Sequence, residues 1–90
     1  MPLQRGEVQG YDFNRMVIDF TMVNQGKVIQ CVISTAAMDD LEGGRGVKAE
    51  QRVDQFMRLR ELIEERASRK FFDGHAEDRP VILRSNDFFR

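Results

Sequence analysis

Ninety residues leave room for one small domain with one modest core. Hydrophobic residues make up 41% and charged residues 32%, a balance that excludes a disordered chain. Lys plus Arg number 14 against 15 for Asp plus Glu, and a net charge of −1 argues against a general polyanion binder. The lone cysteine, Cys31, excludes an internal disulfide or a thiolate metal cluster.

Residues 1–14 are weakly patterned, interrupted by Pro2, Gly6 and Gly10, and read as an N-terminal arm whose Tyr11 and Phe13 touch the core edge. Residues 15–90 read as a single domain. From Arg15 the period becomes two, with Met16, Ile18, Phe20 and Met22 on one face. After Asn24-Gln25-Gly26 a second alternation places Ile29, Cys31 and Ile33 together, so the two runs predict a hairpin. An even-length turn pairs Met22 with Ile29, Phe20 with Cys31 and Ile18 with Ile33. An odd one would carry a whole side-chain set to the other face. Cys31 is therefore expected in the core.

Ser34 suits a helix N-cap, because its hydroxyl can accept from an orphan amide of the next turn. A short helix follows over 35–41 with Ala37, Met38 and Leu41 inward, and Gly43-Gly44 ends it. Gly43 to Gly46 reads as a hinge. The longest element runs from about Lys48 to Phe72, roughly 37 Å, with Ala49, Val53, Phe56, Arg60, Ile63, Ala67 and Phe71 on its apolar stripe. Pro80 opens a last strand, Val81-Ile82-Leu83, which adds to one or other edge of the hairpin. The expected fold is α+β, in the order β-β-α-α-β. Its three-stranded, largely antiparallel sheet is covered by the long helix and accompanied by the short one.

Several of these segments, taken in order, resemble a known family. They are the strand Val28-Ile29-Gln30-Cys31-Val32-Ile33-Ser34, the helix pattern Phe56-x-x-x-Arg60-x-x-Ile63-x-x-x-Ala67, and the closing Val81-Ile82-Leu83-Arg84-Ser85-x-Asp87. The chain is similar, from about Tyr11 to Asp87, to the small bacterial domain-of-unknown-function family numbered 1488. Two features depart from it: Asn24-Gln25-Gly26 at the first turn in place of Asp-Gly or Asn-Gly, and Leu41-Glu42-Gly43 in place of an aromatic-plus-glycine signature. The resemblance implies a compact α+β domain and carries no activity.

Among candidate sites, Arg60 stands out because it interrupts an apolar stripe, where an unpaired guanidinium would be costly to bury. Glu64, one turn later, and Asp19, on a strand, are its candidate partners, in an ion pair or an anion site. Its plain reading is a long side chain that covers the core and snorkels to the edge. The long helix also segregates charge. Lys48, Arg52, Arg66 and Lys70 run along one flank with Arg69 nearby, and Glu50, Asp54, Glu61 and Glu65 along the other. Like-charge i,i+4 pairs cost about 0.2–0.5 kcal/mol each, so helix stability does not require this arrangement. With Leu62 projecting opposite the core stripe, that face is the candidate interaction surface, for self-association or a protein partner.

The basic flank also raises the alternative of weak nucleic-acid binding, but Glu50 and Asp54 would meet phosphate badly. A small enzyme or ligand binder centred on Arg60 or on His75, in Asp73-Gly74-His75-Ala76-Glu77-Asp78, is the remaining alternative. No nucleophile-base set, phosphate loop or metal-ligand spacing accompanies it, so neither catalysis nor a cofactor is expected. With no signal-peptide pattern and no apolar run long enough for a bilayer, the expectation is a cytoplasmic protein without a membrane partner.

Overall fold

The computed structural model describes residues 3–44, 46–74 and 79–88. Its strands are β1 (Gln4–Asp12), β2 (Val17–Asn24), β3 (Lys27–Ser34) and β4 (Val81–Leu83), and its helices are α1 (Thr35–Glu42) and α2 (Arg52–Phe72). Short 3₁₀ turns occupy Ala49–Gln51 and Ser85–Asp87. The sheet is ordered β1-β2-β3-β4, so it has four strands where three were expected.

The β2-β3 hairpin has the register anticipated from alternation: Met22 faces Ile29, Phe20 faces Cys31 and Ile18 faces Ile33. Its two-residue turn has positive φ at Gln25 (52°) and Gly26 (84°), the combination of a type I′ turn, whose twist matches that of the flanking strands. Met16 is not part of β2. It lies in the β1–β2 loop at φ 57° and is exposed. Asp12 organises that loop: its carboxylate accepts from the amides of Asn14 and Arg15, and its carbonyl from that of Met16.

The additional strand comes from the stretch expected to be an arm. β1 pairs antiparallel with β2, and two irregularities interrupt its register, between Arg5 and Val8 and between Val8 and Gly10. Each bulge adds one residue to β1, so the residues opposite Met22, Phe20 and Ile18 are Arg5, Val8 and Tyr11, three apart rather than two. The period-two signature is thereby erased from the sequence. Gly6 is required here. A Cβ at that position would collide with the side-chain and carbonyl oxygens of Thr21, whose hydroxyl accepts from the Glu7 amide at 2.9 Å.

With β1 on the outer edge of β2, the edge of the hairpin left for the last strand is that of β3. β4 takes it in parallel, aligning Cys31 with Val81 and Ile33 with Leu83. A parallel pair needs a crossover connection, and α1 and α2 supply it. Ser34 Oγ accepts from the Ala37 amide at 3.1 Å as the N-cap of α1, and Gly43 ends that helix at φ 65°. α2 then lies across one sheet face. Phe56, Ile63, Ala67 and Phe71 meet Ile18, Phe20, Met22, Ile29, Cys31 and Ile33, and Phe20 and Phe56 pack with ring centroids 5.0 Å apart.

The start of α2 departs from the expected stripe. Ala49 lies exposed in the 3₁₀ turn and Val53 is 37% exposed, whereas Arg52 and Gln55 are buried. At this end the buried side of the helix has rotated from the sheet toward α1.

Candidate interaction surface on the long helix

Three groups of polar side chains set what α2 presents to solvent. The first is the α1–α2 seam. Arg52 Nη1 donates to Asp39 Oδ1 and to Gln55 Oε1, both at 2.7 Å. The Gln55 amide donates to Asp39 at 3.0 Å and to Glu42 at 3.2 Å, and Gln55 is 0% exposed. Arg58 closes the seam on the outside with two bonds to Glu42, at 2.8 and 3.0 Å. Those bonds hold the Glu42 carboxyl below its usual range. Arg52, expected on an open basic flank, is therefore an inward side chain with its charge compensated.

The second group joins α2 to β1. Arg60 Nε donates to Glu64 Oε2 at 3.0 Å and Arg60 Nη2 to the Gly6 carbonyl at 3.2 Å. Arg5 grips the same carboxylate through Nε at 2.9 and 3.0 Å, which raises the guanidinium pKa. Nearby, the Leu3 amide donates to Ser68 Oγ at 3.0 Å. Glu64 is thus a partner of Arg60 as expected, but Asp19 is not; it sits 3.7 Å from Arg15 instead.

The third group is the outward face. Leu62 is 42% exposed. One turn on, the Arg66 guanidinium lies over the Phe88 ring, 5.6 Å from its centroid. Arg69 pairs with Glu65 at 2.6 Å. Lys70 binds the Ile82 carbonyl at 2.6 Å and Asp87 at 3.0 Å. Lys48 is exposed beyond the N-terminus of α2. The six residues of the expected surface therefore separate: Leu62, Arg66 and Arg69 share the outward side of the helix, Arg52 is internal, and Lys48 and Lys70 lie at opposite ends. His75 lies outside the described residues.

The sequence matches, over residues 5–83, the family described as "Protein of unknown function (DUF1488)". The chain belongs to that family. A crystal structure of a DUF1488 protein of unknown function from Shewanella loihica PV-4 superposes with a TM-score of 0.69 at 25% identity, covering 89% of this chain and 92% of that one. No curated protein matches the chain.

In this DUF1488 domain, sequence reasoning missed Gln55, Arg5 and the stacking of Arg66 on Phe88. One signal for the seam is present in the sequence. Arg52 and Gln55 are three apart, as are Asp39 and Glu42, which puts each pair on one helical face across a glycine-rich connection. Arg5 carried no such signal, because it lies in the strand whose alternation the bulges remove. Among the described residues, no three His, Cys, Asp or Glu side chains form a group that could hold a metal ion, and no helix is long and apolar enough to cross a membrane.

Proposed function

We propose that the domain is a non-catalytic protein-interaction or regulatory module acting through the outward face of α2, centred on Leu62 and Arg66. The observation that carries this reading is an exposed leucine one turn from an arginine whose guanidinium lies over an aromatic ring. Arginine and aromatic side chains are enriched where interface energy concentrates, and a stacked guanidinium has less freedom to lose when a partner arrives. Arg69 adds a charged rim, and such rims steer encounter more than they add affinity. The expected partner surface is apolar at its centre and acidic at its edge.

A photo-crosslinking residue placed at Leu62, and as control at the exposed Val28 on the opposite sheet face, tests the proposal in cells. Discrete adducts at position 62 that disappear with Arg66→Glu are expected. Equal adducts at both positions, or adducts indifferent to Arg66→Glu, would overturn it. The mass in solution of the Leu62→Glu/Arg66→Glu variant then identifies the partner class. A fall from dimer to monomer means a second copy, and a monomeric wild type means another protein.

A further inference from the structure

The outward side of α2 has an internal symmetry. Leu62, Glu65, Arg69 and Phe72 are all exposed, Leu62 by 42% and Phe72 by 53%. At about 3.6 residues per turn they fall within an arc of about 80° and span about 15 Å of helix, opposite the buried Ile63 and Ala67. Their spacing is three, four, three, the same read from either end. The apolar side chains stand at the ends and the two opposite charges between them. Reversing the helix therefore puts leucine in the place of phenylalanine and arginine in the place of glutamate.

Such a pattern is complementary to a second copy of itself lying antiparallel. Each Leu62 then meets the partner's Phe72, each Glu65 meets the partner's Arg69, and a two-fold axis level with Ala67 repeats both contacts. A parallel pair would instead set like charges on each other, and would align the two helix dipoles unfavourably. The side chains are already arranged for the contact. Phe72 stands edge-on to Phe71, with ring centroids 5.2 Å apart and planes at 83°. Arg69 donates to Glu65 at 2.6 Å within the chain. A carboxylate has about four acceptor sites and a guanidinium several donors, so that bond can be kept while one across the axis forms. A second copy thus offers Leu62 an apolar contact and Arg69 a carboxylate.

We propose that α2 pairs antiparallel with α2 of a second copy through Leu62, Glu65, Arg69 and Phe72. The proposal rests on the outward face of α2 being the interaction surface, and it names the occupant. The patch is short beside the about 1,200–2,000 Å² of a standard interface, so the dimer is a weak one that forms as protein concentration rises.

Sedimentation velocity of the purified chain, from micromolar to millimolar concentration, tests it. A concentration-dependent dimer is expected. Glu65→Arg and Arg69→Glu are each expected to weaken it at least about tenfold, because like charges then meet twice across the axis. An equimolar mixture of these two variants is expected to regain the wild-type affinity, since the acids of one face the bases of the other. Leu62→Glu is expected to weaken the dimer as well, and Val28→Glu, on the opposite sheet face, to leave it unchanged. All these positions are exposed, so the core is untouched. A wild type that stays monomeric throughout would overturn the second copy as occupant. A dimer indifferent to the charge reversals, or a mixture that stays monomeric, would overturn the antiparallel pairing. Crosslinking in cells without preference for position 62 would instead overturn the reading of the face itself.

Discussion

Cys31 and Arg60 belong to residue types that often carry chemistry, and this fold uses both as structural parts. Arg60 is enclosed by Glu64 and the Gly6 carbonyl, so its place in an apolar stripe reflects β1 packing beside it. Cys31 is 0% exposed opposite Phe20, and burial pushes its thiol up to about 12. In the unfolded chain a thiol titrates near about 8.5. Because the folded value is the higher one, the native state favours the protonated form. The resulting stabilisation is complete below about pH 8.5 and is lost progressively as pH rises toward 12. Urea unfolding of the wild type and of Cys31→Ala across this range measures the effect. The stability difference between them is expected to shrink with rising pH, by up to about 1.4 kcal/mol per unit, as the wild type loses its advantage. A constant difference would mean that the thiolate is accommodated inside the fold.

Between elements, the α1–α2 seam is where polar rather than apolar groups determine packing. Replacing Arg52 by Met removes one donor from Asp39, which keeps the Gln55 amide, and takes from Gln55 Oε1 the bond that Arg52 donates. Breaking a fully buried ion pair costs about 3–5 kcal/mol, and the partial exposure of Asp39 lowers the expectation to about 2–3 kcal/mol. The double variant Arg52→Met/Asp39→Leu is expected to recover part of that loss, giving a coupling energy of about 1 kcal/mol or more in a urea-monitored double-mutant cycle. Additive losses would show that the two side chains act separately. The seam also shows what sequence could reveal about elements. The β2-β3 register was legible because strict alternation and an even turn leave one pairing that buries Ile18, Phe20 and Met22 with Ile29, Cys31 and Ile33. The α1 caps were legible because Ser34 and Gly43 are local devices. Val53 was misassigned because a uniform helical stripe assumes one neighbour along the whole helix, whereas α2 changes neighbour from α1 to the sheet along its length. That Leu62 lies on the solvent side of α2 was legible from helical spacing. The withdrawal of Arg52 depended on where α1 comes to rest, which spacing does not contain.

For the molecule as a whole, the four-strand count decides how much of the chain is needed to fold. A boundary at Arg15, suggested by the broken pattern before it, would leave the β2 edge unpaired and remove Leu3, Val8 and Tyr11 from the core and its margin. Burial of a large apolar side chain is worth about 1.5–3 kcal/mol. Losing these three is therefore comparable to the whole stability of a small domain, about 5–15 kcal/mol. The same deletion removes Arg5 and the Gly6 carbonyl, so Glu64 and Arg60 lose partners on the side of α2 that faced β1. It also removes the Leu3 amide from the buried Ser68 hydroxyl. A chain beginning at Arg15 is accordingly expected to lack a cooperative urea transition and to bind a hydrophobic dye, while the full chain unfolds in one step. A sharp transition with the full-length midpoint would show that β2, β3, β4 and the helices are self-sufficient, and β1 would then be an accessory edge rather than part of the folding unit.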